Sequence, residues 1–158
     1  PTGEYTSEKL INLGTNRWSI KPELAITQRI GNRWMMDLYT GVWLFTNNNT
    51  FYPGSSERKQ DPLYSFQGHL SYNINTRTWA AFDATYYVGG QSAINDIYKD
   101  DQQSNSRIGV TLSFPVAKRN SVKVAYSQGA IIRTGADFKT VSLGWNYTWF
   151  DKKSRILK

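Results

Sequence analysis

Arg33-Trp34-Met35-Met36-Asp37-Leu38-Tyr39-Thr40-Gly41-Val42-Trp43-Leu44 alternates in character. The even positions are almost all apolar: Trp34, Met36, Leu38, Val42 and Leu44. The odd positions include Arg33, Asp37, Tyr39 and Gly41. A period of two over about ten residues is a β-strand with one oily face and one mixed face. The same alternation recurs in at least six other segments. Seven strands, joined alternately by short turns and long polar loops, predict the wall of an antiparallel transmembrane β-barrel.

Outward from that stretch, residues 1–15 read as loop. Strand one runs from Asn16 to Gln28, with Trp18, Ile20, Pro22, Leu24 and Ile26 on the apolar side. Arg17, Ser19, Lys21, Glu23, Ala25 and Thr27 lie opposite. Arg29 to Asn32 is a turn in which Gly31 and Asn32 tolerate positive φ. Strand two ends near Thr46, and a polar loop follows from Asn47 to Pro62. Strand three, Leu63 to Asn75, puts Tyr64, Phe66, Leu70, Tyr72 and Ile74 outward, against Ser65, Gln67, His69, Ser71 and Asn73. Strand four, Trp79 to Val88, puts Phe82, Ala84 and Tyr86 outward, against Asp83, Thr85 and Tyr87. Trp79 falls on the inward set, which calls for a bulge or a wet tryptophan. A second long loop spans Gly89 to Ser104.

Strand five sets Ile108, Val110, Leu112 and Phe114 against Arg107, Gly109, Thr111 and Ser113. A short connection, Pro115 to Asn120, leads to strand six, with Val122, Val124 and Tyr126 against Lys123, Ala125 and Ser127. After a shorter loop, Arg133 to Asp137, strand seven sets Val141, Leu143, Trp145, Tyr147 and Trp149 against Ser142, Gly144, Asn146 and Thr148. With strand seven ending in the periplasm, every short turn falls there and every long loop falls outside the cell.

Composition agrees with a sheet that meets lipid at every second residue. Aromatics make up 15% of the chain, with six Trp and ten Tyr, enough for interfacial girdles. Mean hydropathy is nevertheless −0.55, and no apolar run approaches the ~18 residues of a helical span. With no Cys, disulfides and thiolate metal sites are excluded. The net charge of +7 is scattered, with part of it in Lys118-Arg119 and Lys152-Lys153-Ser154-Arg155. Such charge suits acidic lipid or lipopolysaccharide headgroups better than nucleic acid.

The rival architecture is a soluble, lipocalin-like barrel or sandwich with the apolar face as its core. Trp18, Trp34, Tyr64, Tyr72, Trp145, Tyr147 and Trp149 would overfill a small barrel, and several stand at strand ends, where girdles belong. They are assigned to lipid. Bacterial barrels usually have an even number of strands, and an open sheet leaves bare edges in lipid. The seven strands therefore read as the C-terminal part of a larger barrel, with N-terminal strands of the same protein as partners. No signal peptide is visible, so the chain is either a mature form or lacks its N-terminus.

Ile11-Asn12-Leu13-Gly14-Thr15-Asn16-Arg17-Trp18, with Lys21-Pro22-Glu23, resembles an outer-membrane transporter family associated with the MetA pathway of phenol degradation. So do Gln60-Asp61-Pro62-Leu63-Tyr64, Asp83-Ala84-Thr85-Tyr86-Tyr87 with Gly89-Gly90, Asn105-Ser106-Arg107-Ile108-Gly109, and Gly135-Ala136-Asp137-Phe138. The resemblance keeps its order along nearly the whole chain. It implies a barrel of about twelve strands in the bacterial outer membrane and passage of small aromatic or hydrophobic compounds. Family members commonly stop at a terminal aromatic, which the assembly machinery reads. Here Trp149-Phe150 is followed by Asp151 to Lys158. Residues 1–150 are thus expected to form the wall and its extracellular loops, and 151–158 a periplasmic tail.

The inward face collects Arg17, Lys21, Glu23, Asp37, His69, Asp83, Arg107 and Lys123. An Arg or Lys on the lipid face costs about 2–4 kcal/mol at the midplane, so charge belongs on the other side. These groups either line a charge-selective pore or brace a closed lumen with ion pairs. Tyr39, Trp43 and Tyr87 offer apolar patches to an aromatic solute. The expected function is passive uptake of small solutes, without cofactor or metal. A structural or adhesive barrel acting through its loops is the alternative. An outer-membrane lipase is a third reading, because His69 and Ser71 share a strand face and Asp83 lies across the hairpin. Asp96, Asp100 and Asp101 gather in one loop, where a solvated cluster outweighs a Ca²⁺ site. Asn48-Asn49-Thr50 is a glycosylation sequon by pattern only.

Overall fold

The structure is a computed structural model and describes residues 2–135 and 137–149. Ala136, Phe150 and the expected tail 151–158 lie outside the described residues. Among the described residues all regular structure is β, in two antiparallel sheets.

The larger sheet is the predicted wall. Its first position is shared by β1 (Ser19–Ile20) and β2 (Glu23–Ile30), which both pair with β3 (Trp34–Phe45). Then come β6 (Leu63–Asn73), β7 (Trp79–Gly89), β10 (Gln103–Ala117), β11 (Asn120–Ile131) and β12 (Thr140–Tyr147). The seven expected strands thus occupy seven positions in sequence order, each hairpin next to the one before. Strand one is one ladder with a gap at Lys21-Pro22. Ile20 faces Leu44 and Glu23 faces Gly41 in a single register. Pro22 has no N–H to give, but its carbonyl still accepts from the Val42 N–H at 3.2 Å.

Strands five and six are longer than the alternation indicates. β10 has 15 residues and runs through Pro115, where a register shift absorbs the missing donor. A barrel strand needs about 9–11 residues to cross a bilayer, so the excess projects beyond it. Trp79 needs no bulge: β7 holds unbroken register with β6 and with β10 along its whole length, and Trp79 stands on the polar face.

The two long loops are not irregular, which corrects the sequence reading. They contain β4 (Asn48–Phe51), β5 (Ser56–Gln60), β8 (Ser92–Ile94) and β9 (Ile97–Tyr98), which form a second sheet in that order. The β5–β8 pair continues the β6–β7 hairpin in the same register, from Leu63 opposite Gly89 to Gln60 opposite Ser92. Across the joint, Asp61 N–H donates to the Gln91 carbonyl and Gly90 N–H to the Pro62 carbonyl, both at 2.9 Å. Gly89 and Gly90 take φ of 100° and 70° here, and a Cβ on Gly89 would lie 2.5 Å from the Pro62 oxygen. Ser56-Glu57-Arg58-Lys59-Gln60 carries no apolar alternation that could have betrayed a strand.

The described residues form almost no core. Among the described residues Ala93, at 4% exposure, is the one buried hydrophobic side chain. Most apolar-face residues of the wall stand bare, up to 77% exposed at Leu143. A soluble lipocalin-like barrel would bury this face, so that reading fails. Both outer strands of the wall, β2 and β12, have one neighbour each among the described residues, and the barrel is not closed.

Leu38 lies mid-strand on the bare face of β3, beside Gly68 of β6. In lipid vesicles Leu38→Arg is expected to destabilise the full-length protein by about 2–4 kcal/mol. Gln67→Arg, one residue from Gly68 on the opposite face, is expected to cost far less. Urea unfolding followed by tryptophan fluorescence reads both, and equal costs would contradict the assignment of faces.

Candidate functional site

The polar face holds the chemistry of this chain. Register lays Thr27, Asp37, His69, Asp83 and Gly109 in one row across five neighbouring strands. Thr27 Oγ1 donates to Asp37 Oδ1 at 2.5 Å. His69 Nδ1 lies 2.5 Å from Asp83 Oδ1, and Thr111 Oγ1 donates to the second oxygen of Asp83 at 3.1 Å. Tyr39 meets the His69 ring edge-on, centroids 5.6 Å apart. The carboxylate of Asp83 is thereby held from two strands, and the imidazole from two sides.

A cavity of about 510 Å³ opens on this row, lined by Trp79, Met35, Asp37, His69, Asp83 and Lys123 among others. Trp79 and Met35 give it an apolar wall between charged groups of both signs. The inward tryptophan is therefore part of the site, a role that strand parity signalled.

The other predicted residues divide along the strands. Lys21 pairs with Glu23, two residues on, and covers the Trp43 ring at 5.4 Å. Arg107 donates to Ser127 Oγ at 2.9 Å and to Thr140 Oγ1 at 3.2 Å, and its guanidinium stacks on Phe138 at 4.0 Å. It ties β10 across β11 to the start of β12. Tyr87 stands apart from the row, at the level of Ser65 and Asn105. Arg17 lies at the long-loop end, with Nη2 on Gln60 Oε1 at 2.6 Å and its guanidinium over Phe45 at 4.5 Å.

The apolar face carries aromatics near both ends. Trp18 and Tyr64 stand near the long-loop end. At the short-turn end, Trp34 packs on Tyr72 with centroids 4.6 Å apart, so Tyr72 is half covered rather than bare. Its hydroxyl accepts from Arg33 Nη1 at 3.0 Å. Trp145, Tyr147 and Trp149 follow on and after β12, and Trp145 Nε1 donates to Asn120 at 2.9 Å. Polar tips with apolar bodies are the chemistry of a membrane interface.

Three short motifs resolve into tertiary contacts. Ser71 Oγ donates to the Met35 carbonyl at 3.3 Å rather than to His69, so the His69–Asp83 pair has no nucleophile attached. The loop carboxylates disperse to separate partners: Asp96 to Lys59 at 2.7 Å, Asp100 to Arg133 at 3.1 Å, and Asp101 to Ser92. No group of three such side chains able to hold a metal occurs among the described residues. Asn48, in the sequon, is 2% exposed and is a structural hub. Its Nδ2 donates to Tyr5 and to the Thr15 carbonyl at 3.0 and 3.2 Å, and its Oδ1 accepts from Asn16 and Thr50 N–H, both at 3.1 Å. It clamps the N-terminal segment onto β4, a tertiary role with no sequence signature.

Residues 1–130 match the family described as "Putative MetA-pathway of phenol degradation". The chain belongs to that family. The crystal structure of an outer membrane channel from Pseudomonas putida F1 matches the fold with a TM-score of 0.77. The two are 24% identical, over 93% of this chain and 55% of that one. The chain thus spans about half the length of that channel, and its wall has an outer-membrane barrel fold. No curated protein matches the chain in sequence.

The half-buried His69–Asp83 pair is expected to couple by about 1 kcal/mol in a double-mutant cycle of His69→Ala and Asp83→Ala. Urea unfolding of the refolded full-length protein measures it, and additivity of the two substitutions would discard the pair.

Proposed function

We propose that this chain forms part of the wall of an outer-membrane channel through which small aromatic or hydrophobic solutes diffuse without covalent chemistry. Its polar face lines the passage, its apolar face meets acyl chains and lipopolysaccharide, and further strands of the same protein complete the barrel. The short turns lie in the periplasm and the longer loops outside. The observation that carries this reading is the cavity at Trp79. An apolar wall beside the His69–Asp83 pair and Lys123 gives a phenol-like molecule a ring contact and hydrogen-bonding partners. The family's description and the channel from Pseudomonas putida F1 support passage as the activity.

The second sheet favours one other reading, in which ordered loops present a binding surface and the barrel serves as their anchor. Flux separates the two. Liposomes carrying the full-length protein are expected to swell in isosmotic phenolic solute, and planar bilayers to conduct. A protein that folds, inserts and passes neither phenol nor ions would end the channel reading and leave the adhesive one. In a conducting protein, Lys123→Glu is expected to move the reversal potential in a salt gradient toward cation preference, because the charge sits on the lining. An unmoved potential would take Lys123 off the pathway.

A further inference from the structure

At the long-loop end, a cavity of about 260 Å³ is lined by Arg17 and Arg58 together with Tyr5, Phe51, Leu10 and Ile11. No carboxylate is among its lining residues. The five ion pairs among the described residues involve neither arginine. Arg58 sits over the Phe51 ring at 5.3 Å. Arg17 is fixed by Gln60 through Nη2 at 2.6 Å and by the face of Phe45 at 4.5 Å. Its other terminal nitrogen, Nη1, is buried without a hydrogen-bond partner, alone in this among side-chain atoms of the described residues.

A buried guanidinium N–H without an acceptor is costly, and a second positive charge beside it adds to the cost. Burial first, and then the Arg58 charge, lower the pKa of Arg17 from its ordinary value. An oxyanion in the cavity would offset both positive charges, and the planar fork of arginine suits a carboxylate. The rest of the lining is not that of a simple ion site. Tyr5 and Phe51 supply rings, while Leu10 and Ile11 remain exposed with nothing over them. Phe45 belongs to the odd-numbered, polar-facing set of β3, so Arg17 lies on the side away from outer-leaflet lipid phosphates.

We propose that this cavity captures small aromatic carboxylates of the benzoate type, with Arg17 and Arg58 gripping the carboxylate and the apolar lining holding the ring. Placing it at the mouth of a passage rests on the channel reading; the binding itself does not.

The full-length protein in detergent micelles is titrated calorimetrically with benzoate, with its neutral analogue benzyl alcohol and with inorganic phosphate. Benzoate is expected to bind at least about tenfold more tightly than either, and Arg58→Gln to weaken it about tenfold, the scale of a lost charge-assisted hydrogen bond. Arg17→Gln is expected to do the same. Because Arg17 also braces Phe45 and Gln60, Arg58→Gln is the primary variant. Each variant's fold is checked by the heat-dependent gel mobility of barrels. Equal binding of benzoate and benzyl alcohol, or a folded Arg58→Gln protein with undiminished benzoate affinity, would overturn the proposal. Phosphate binding more tightly than benzoate would overturn it in favour of a general oxyanion cradle. Arginine-dependent benzoate binding in a protein that passes no phenol would uphold this site and reject the channel.

Discussion

Backbone pairing holds this sheet together, because little else can. A soluble domain of similar size buries a cluster of aliphatic side chains, whereas this chain buries one alanine among its described hydrophobic residues. In hydrocarbon an unpaired N–H or C=O costs several kcal/mol, so the ladder between strands supplies cohesion that packing does not. The long unbroken registers of β7 with both of its neighbours, and of β10 with β11 from Arg107 to Pro115, follow from that constraint. So does the tolerance of Pro22, which interrupts the first strand without shifting its register. By the same constraint, the outer edges of β2 and β12, each with one neighbour among the described residues, are where the proposed further strands would pair.

Once strands alternate, charge has one side to occupy. Parity sends Asp37, His69, Asp83, Arg107 and Lys123 to the polar face. There most are met by hydroxyls, rings or opposite charges supplied by adjacent strands. Small residues share that face: Gly109 sits between Asp83 and Ser127, and a Cβ there would come within 3.0 Å of the Tyr126 carbonyl. The outcome is a polar face on which fixed charges are braced yet still border open space, the physical requirement for the selective passage proposed for it.

Legibility followed the length scale of each interaction. Side-chain alternation is local, so the seven wall strands and the face of each charged residue could be read directly from the chain. Pairing within the row could not. Asp37 stands opposite His69 in the ladder, yet the imidazole binds Asp83 on the other side and Asp37 takes Thr27. Motif proximity is no guide to partners for the same reason. Ser71 is two residues from His69 but bonds to Met35 across the ladder, and three aspartates close in sequence serve three different partners.

By itself, the sequence determined a two-faced wall: its strand count, the sidedness of its charges, the aromatic residues toward its margins and its family. Period-two patterning encodes sidedness at every residue, so no long-range contact was needed to see it. Tertiary structure alone decided that the two long loops join in a second sheet, that Asn48 is a buried clamp, and that Trp79 shares a cavity with His69 and Lys123. It also brought Arg17 and Arg58 together without a carboxylate between them. Those arrangements join residues ten or more positions apart, and alternation, being local, records which face a residue takes but not what it meets there.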